Sequence, residues 1–397
     1  KNNQHFYIDL LKLENMIMTD LHSVGGGVLG LPAAIQAKQQ GLSIKLFEKD
    51  AVPVGATRRN FGILGSATLS RPDDCWHIYA KDSLEFYQSV QKEMEISFSK
   101  RTGLYLATTA LQAKVLDEFE QQAATYNIHA QYLDPETLLA RYPYLNADAV
   151  LQGALTLEDE YSLEPDQAAL RLMAYAQQIG VEVYANACVV KANASEGLTQ
   201  IQLATGECFT AKKLLICHGA TTEILYPQAL QQLGVQRCHL NMALTEAVPY
   251  QLNAAIYSGL SIARYPGFSI CPSYADLLAE PQDEMVKRYG IHVLLKQNYL
   301  GQIIVGDTHE YTALNEAALF EQQEQTYEFI QRYCAEQLGF ELPPLIKRWQ
   351  GQYLSHPEEL ACFLEVEANV YLANAIAGKG MTTGPGWMKY QLQQHIF

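Results

Sequence analysis

The chain has 397 residues, 48% of them hydrophobic and only 18% charged, which is an ordinary globular composition with length enough for two domains. Its net charge of −15 excludes the basic footprint of a nucleic-acid binder or a polybasic membrane-surface protein. No apolar run approaches the ~20 residues that span a bilayer, so the expected partner is a small molecule, and an anionic one would need a locally basic pocket.

Residues 1–17 precede the first recognisable strand and are expected to be an extension outside the fold, with Met16 or Met18 as the natural start. Residues 18–24 read as a short strand. Gly25, Gly27 and Gly30 then fall at G-x-G-x-x-G spacing, residues 31–40 continue as a helix stopped by Gly41, and 42–47 form an apolar second strand ending in Glu48-Lys49. Each part has a physical job in a dinucleotide-binding unit. Gly25 permits the tight turn, Gly27 lets backbone N–H groups approach a pyrophosphate, and Gly30 lets the helix pack on the strand. The helix N-terminus supplies partial positive charge, and Glu48 sits where a carboxylate takes ribose hydroxyls.

A polar, glycine-bounded loop follows, Gly55-Ala-Thr57-Arg58-Arg59-Asn60-Phe61-Gly62. Helical periodicity marks 75–95 and 110–127, with a strand at 103–108 between them, and Asp134-Pro135-Glu136 starts a short helix. A helix is expected from Glu164-Pro165 to Gln178, closed by Gly180, then a strand at 181–184 and a meander at 187–192, 198–204 and 207–210 that includes Val189. Residues 213–217 are a buried strand ending in His218-Gly219. Residues 238–310 read mostly as strands, including a hairpin over 291–305 turning at Tyr299-Leu300-Gly301. A long helix is expected at 315–338, a last strand at 370–375, and a final helix after Gly378-Lys379-Gly380-Met381-Thr382-Thr383-Gly384-Pro385. The eight cysteines, at 75, 188, 208, 217, 238, 271, 334 and 362, form no C-x-x-C and no zinc-type spacing, so no metal is expected and a reducing, cytoplasmic setting is.

Four separated segments resemble the flavin-dependent amine oxidoreductases of the D-amino-acid oxidase, glycine oxidase and sarcosine oxidase superfamily. They are the G-x-G-x-x-G unit with Glu48, the loop Thr57–Gly62, the strand end Leu214-Leu-Ile-Cys217-His218-Gly219-Ala220, and the turn Gly380-Met381-Thr382-Thr383-Gly384-Pro385. Arg58-Arg59-Asn60-Phe61-Gly62, Val305-Gly306-Asp307-Thr308-His309-Glu310-Tyr311 and Trp349-Gln350-Gly351-Gln352-Tyr353 look like a bacterial branch associated with phosphonate catabolism. The resemblance implies an α/β fold, α+β overall. A Rossmann-type FAD-binding domain (18–75, 150–235, 352–397) would carry a discontinuous antiparallel-sheet substrate domain (76–149, 236–351). It also implies non-covalent FAD held by Gly25, Gly27, Gly30, Glu48, Lys49, Thr57, Arg58, Asn60, Gly62, Val189, His218, Gly219, Gly380, Met381, Thr382 and Thr383. Cys271-Pro272, the nearest Cys-Pro, reads as packing rather than as a flavin attachment point.

The implied reaction is hydride transfer from the α-carbon of an amine to flavin N5, followed by imine hydrolysis, with oxygen or a quinone as acceptor. Amino-acid-oxidising relatives carry W-x-G-x-R-P, whose Arg grips the substrate carboxylate; here Tyr353 stands in its place, and a phenol offers no bidentate fork. The substrate is therefore expected to be a small amine with an anionic group, an aminophosphonate fitting best. An amino-acid oxidase and a non-catalytic flavin-binding protein are the alternatives. Arg264, Tyr265, His356 and Lys379 are candidates for the anion; against Arg264 as a clamp stands an exposed strand-end arginine. His309, Tyr353 and Lys296 are candidates for the chemistry; a structural histidine and a solvated hairpin lysine are the competing readings for His309 and Lys296.

Overall fold

In the computed structural model, residues 18–146, 149 and 151–397 are described, and the expected extension at 1–17 lies outside them. The strand Thr19–Val24 occupies the middle of a parallel array. It pairs with Ile44–Phe47 on one side and Cys208–Ile216 on the other, and the array reaches Glu182–Tyr184 and Val370–Asn374 at its flanks. The registers Val24↔Phe47, Val24↔Ile216 and Ile216↔Leu372 end these strands at one edge. The turns leaving them, at Gly25, Glu48, Cys217-His218 and Asn374, therefore open into one crevice, the place where open parallel sheets bind ligands. Antiparallel strands Leu198–Leu203, Val189–Ser195 and Cys362–Glu367 extend this sheet.

Helices Gly30–Gln39, Pro165–Gln178, Gly380–His395 and Cys75–Glu93 cover one face, burying Leu31, Leu172, Met388 and Tyr87 against Leu21 and Leu46. The opposite face packs Phe47, Val189, Leu214 and Ile216. Local signals set the helix starts: Asp74, Thr109 and Asp134 each accept a backbone N–H from the first turn of the helix that follows.

A second sheet, nine-stranded among the described residues, runs from Glu310–Ala313 through Gln236–Ala247, Gln302–Gly306, Leu294–Gln297, Ala254–Tyr257, Thr102–Ala107 and Gly153–Leu157 to Ala130–Leu133, with Leu345–Ser355 along Gln236–Ala247. Its pairings are antiparallel except Ala254–Tyr257 with Thr102–Ala107. Elements do not follow the expected segment bounds everywhere: Gly153–Leu157 and the end of Leu345–Ser355 belong to this second sheet, while Cys75–Glu93 packs with the first.

Three stretches differ from the sequence-based expectation. Within 238–310, helices Gly259–Arg264, Tyr274–Ala279 and Glu284–Tyr289 interrupt the strands; each has fewer than two turns, too short for helical periodicity to show. The helix expected at 315–338 begins at Glu324. Leu345–Ser355 is a strand that its sequence conceals, because it is charge-bearing (Lys347, Arg348) and lies at a sheet edge, where charges discourage further pairing.

His22 is fully buried in the central strand, edge-on to Phe47 with ring centroids 5.3 Å apart, and neither ring nitrogen has a hydrogen-bond partner. Burial pushes its pKa down to about 3, so it is neutral in the fold. In the unfolded chain an imidazole titrates near about 6.5, so below that pH the unfolded state binds the extra proton. The stability is fully present above the unfolded value and is lost progressively as pH falls toward about 3. His22→Leu is expected to flatten this slope: between pH 6 and 4 the wild type should lose on the order of 1 kcal/mol more per pH unit than the variant in urea titrations. Parallel pH dependences would refute the assignment.

Candidate active site

The glycine turn is built by close approach. Gly25 has φ +100°, and a Cβ there would overlap the carbonyl oxygen of Cys217 on the neighbouring strand. A Cβ on Gly30 would overlap the carbonyl oxygen of Gly25, so the helix enters at the distance only glycine allows. Val28 N donates to Thr57 Oγ1 (2.9 Å), tying the loop 55–62 across the helix start. Asn60 holds the same loop, donating to the carbonyls of Ala56 and Thr57 and accepting from Gly62 N at 2.6 Å. Glu48 is buried and accepts from Gly26 N (2.7 Å) and Asp50 N (3.0 Å), which aims its carboxylate along the turn.

Two helices, Gly30–Gln39 and Gly380–His395, begin at this crevice without a side-chain cap and without an acid in the first turn. Their partial positive ends face one cavity of about 640 Å³. The volume is that of a small-molecule or cofactor site. His218 also lines it, with Nε2 buried and unpartnered and Nδ1 3.1 Å from Asn374 Nδ2.

The cavity continues between the sheets into a lobe walled by Tyr105, Tyr257, Arg264, Tyr265, His292, Asp307, His309, Tyr311, Tyr353 and Lys379. Tyr105 and Tyr257 stack at 4.2 Å, and Thr68 and Tyr105 share a 2.6 Å hydrogen bond. Arg264 ends the helix Gly259–Arg264 and is accessible within the cavity. Burial opposes its charge, but Tyr353, Asp307 and Tyr311 outweigh that and raise its pKa. Burial lowers the Lys379 pKa, and Arg264 adds to the shift.

Near Arg264, Asp307 meets two neighbouring imidazoles, His292 and His309, whose ring centroids are 5.1 Å apart. His292 Nε2 is 3.0 Å from Asp307 Oδ1, although not aligned as a hydrogen bond, and His309 Nε2 is 3.7 Å from Oδ2. The far nitrogens are also held: His292 Nδ1 lies 3.1 Å from Ser261 Oγ, and His309 Nδ1 lies 3.2 Å from the carbonyl of Gly290. Burial pushes His309 down to about 3 and raises the Asp307 carboxyl, the latter against the pull of His309 and Arg264.

The family model for DAO, FAD dependent oxidoreductase, matches residues 24–390. The chain belongs to this family. The FAD dependent oxidoreductase fold extends to solved structures of low identity. Glycine oxidase from Geobacillus kaustophilus has a TM-score of 0.74 at 16% identity, over 94% of each chain. L-alpha-glycerophosphate oxidase from Mycoplasma pneumoniae, solved with FAD bound, has a TM-score of 0.74 at 16% identity, over 96% of each. Among curated relatives, human mitochondrial dimethylglycine dehydrogenase is 28% identical over 163 residues, 40% of this chain and 18% of that protein. An anaerobic glycerol-3-phosphate dehydrogenase polypeptide of Haemophilus influenzae is 26% identical over 181 residues, 46% of this chain and 31% of that polypeptide. The chain thus spans less than a third of the length of these curated relatives.

FAD is the cofactor of this oxidoreductase family, and the cradle fits it: two uncapped helix ends, a buried carboxylate and an imidazole whose Nε2 has no partner converge on one cavity. Of the residues expected to hold it, Gly25, Gly27, Glu48, Lys49, Thr57, Asn60, Gly62, Val189, His218, Gly219, Gly380, Met381 and Thr382 line the cavity. Gly30 and Thr383 stand behind the wall, Thr383 Oγ1 donating to the Lys379 carbonyl at 2.9 Å. Arg58 is exposed and away from the wall; Arg59 takes that place and donates to the Gln350 carbonyl.

Among the substrate and chemistry candidates, Arg264, Tyr265, His309, Tyr353 and Lys379 share the lobe, and two do not reach it. Lys296 is fully buried, neither in the cavity nor solvated: its Nζ donates to the Leu163 carbonyl (2.7 Å) and pairs with Glu164 (3.1 Å), and burial brings its pKa down to about 8. His356 serves a turn, its Nδ1 accepting from Glu358 N and Glu359 N. Cys271 is buried in the core of the second sheet, away from the cavity wall. Sequence reasoning missed His292, Asp307, Tyr311 and Asn374. The one available signal was the Gly306-Asp307-Thr308-His309 run, in which the histidine is the more conspicuous residue and Asp307 its neighbour.

Gly25→Ala and Gly30→Ala should each yield protein without bound flavin after gel filtration, read as lost absorbance at about 450 nm. Gly27→Ala, whose Cβ would meet only Thr57 Oγ1 at 3.2 Å, should keep the fold and bind FAD more weakly. Full flavin retention in all three would refute the cradle.

Proposed function

We propose that this chain oxidises a small amine carrying an anionic group, an aminophosphonate being the preferred class, and that FAD is bound non-covalently. The observation that carries the reading is a basic lobe, Arg264 with Lys379, set in the same cavity as the cofactor cradle of an acidic protein. Tyr353 lines that lobe, and by the resemblance of the Trp349–Tyr353 stretch it takes the place of a carboxylate-gripping arginine. The guanidinium comes instead from a different element, the helix Gly259–Arg264, so the anion is gripped from another direction. Support also comes from the relatives, whose names combine amine substrates (glycine, dimethylglycine) with a phosphorylated one (glycerophosphate).

When bound, FAD supplies the hydride acceptor. The chain's own contribution is position and charge. The uncapped end of Gly380–His395 favours negative charge in the cradle. Arg264 and Lys379 fix the anionic end of the substrate. Tyr353 and Tyr265, whose pKa values burial raises, stay as neutral phenols that donate hydrogen bonds. Burial keeps His292 and His309 neutral beside Asp307, whose carboxyl burial makes more basic. Oxygen or a quinone would reoxidise the flavin.

A second reading, oxidation of an amino acid, is favoured by Arg264 itself, since a guanidinium forks a carboxylate as readily as a phosphonate. A non-catalytic flavin-binding role would call for a closed flavin face, and the lobe between the sheets argues against it.

Anaerobic mixing with 2-aminoethylphosphonate, its N-methyl form, glycine, sarcosine and D-alanine separates these readings. Bleaching of the flavin by the phosphonates alone is the expected result; bleaching by the carboxylates alone would transfer the assignment to amino acids. Arg264→Met should raise the apparent Kd of the active compound by about 30-fold or more, because a buried charge-assisted contact is lost. An unchanged Kd would remove Arg264 from the anion site.

A further inference from the structure

The geometry points to a proton acceptor in the cavity wall: Asp307 and His309, supported by His292, receive the proton that the substrate's ammonium group must lose before its α-carbon can give up a hydride. This inference rests on the proposed amine reading. An aliphatic amine is an ammonium ion near neutral pH, and in that form its nitrogen has no lone pair to stabilise the developing iminium.

The tautomer of His309 decides the case. A backbone carbonyl only accepts, so the 3.2 Å contact with the Gly290 carbonyl places the proton of a neutral imidazole on Nδ1. His309 Nε2 then carries a bare lone pair, and it faces the Asp307 carboxylate at 3.7 Å, acceptor against acceptor. The cluster is one proton short of a hydrogen bond. Capturing a proton from R–NH3+ leaves R–NH2 in the lobe and places the proton between Nε2 and Oδ2, where it turns that repulsion into a charge-assisted contact. No other bond changes in this step.

His292 lies beside His309, their ring centroids 5.1 Å apart, with its Nε2 3.0 Å from the other carboxylate oxygen, Oδ1, and Nδ1 held near Ser261. Among the described residues, the charged and titratable groups facing the cluster include Arg264 and Tyr265 from the helix and turn 259–265, Cys238 from the strand Gln236–Ala247, and Tyr353 from the strand Leu345–Ser355, whose ring lies edge-on to His309 at 6.4 Å. Burial, and after it Arg264, lowers the proton affinity of both imidazoles; at Asp307 burial raises it against the pull of His309 and Arg264, which makes the carboxylate a stronger base than an exposed one and the basic member of the cluster. Two imidazoles and a carboxylate within 4.8 Å of one another also have the composition of a cation site. With a guanidinium acting on all three groups and only one carboxylate among them, a single proton is the better occupant than a divalent ion.

The test uses the FAD-loaded protein. Asp307→Asn should slow anaerobic flavin reduction by about 100-fold or more at neutral pH. The deficit should shrink by about tenfold per pH unit on the alkaline side, as solvent base comes to supply the free amine. A residue with only a packing role would give a deficit that no pH recovers. Independently of turnover, ¹⁵N NMR of histidine-labelled wild-type holoenzyme should show one Nε2 changing from bare to protonated on binding an amine with no α-hydrogen, 2-amino-2-methylpropylphosphonate or 2-aminoisobutyrate. That resonance should be absent in His309→Gln.

Parallel pH profiles for wild type and Asp307→Asn, or an Nε2 that stays bare on ligand binding, would overturn the assignment. So would a stoichiometric metal ion in the wild-type holoenzyme that Asp307→Asn lacks. If no amine reduces the wild-type flavin, the amine reading itself falls; if amines do and Asp307→Asn shifts nothing, the proton-acceptor assignment falls alone.

Discussion

The site depends on one steric constraint, the approach of the helix at Gly30 to the carbonyl of Gly25. That contact sets the helix close against the first strand and leaves its leading N–H groups pointing past the strand end instead of into solvent. Because the first strand is central and parallel to its neighbours, the same edge also carries Glu48, His218 and Asn374. A side chain at either glycine would move the helix end away from all of them. The chemistry of the crevice is thus fixed by backbone spacing before any functional side chain is considered.

The lobe beyond the cradle is assembled differently, from side chains held against desolvation. Arg264, Asp307, His292 and His309 come from three separate segments; the last three are buried and each is costly to bury alone, while Arg264 is accessible from the cavity. Together they balance: the guanidinium offsets the carboxylate, and the imidazoles remain neutral. The tyrosines around them keep their protons and contribute dipoles without net charge. In a protein of net charge −15, two cationic side chains, Arg264 and Lys379, are thereby kept facing one cavity.

Legibility in the sequence followed the range of the interactions. The cradle was readable because it is local: glycine spacing, a strand before, a helix after and an acid at the next strand end all lie within residues 18–48. The lobe was only partly readable. Arg264 stood out as the one charge in residues 257–272, but nothing local distinguishes Lys296, whose partner Glu164 is 132 residues away. His292 and Asp307 meet through strand register, Leu294↔Gly306 being the nearest ladder pair, and register is set by the whole sheet. Arg58 and Arg59 are adjacent and chemically identical, so which one faces the cavity depends on the local 3₁₀ turn at Ala56–Arg58, and the sequence does not reveal it.

Lys296 and Glu164 have a mechanical meaning. The lysine stands on the second sheet and the carboxylate opens the helix Pro165–Gln178 that packs on the first, so the ion pair is a dry latch between the layers. Sliding one layer past the other by a single residue would strand both charges without water, a penalty of several kcal/mol. Intermediate alignments are thereby excluded, and the halves of the cavity meet in one registry or not at all. The two layers are thus not free to yawn apart like a hinge.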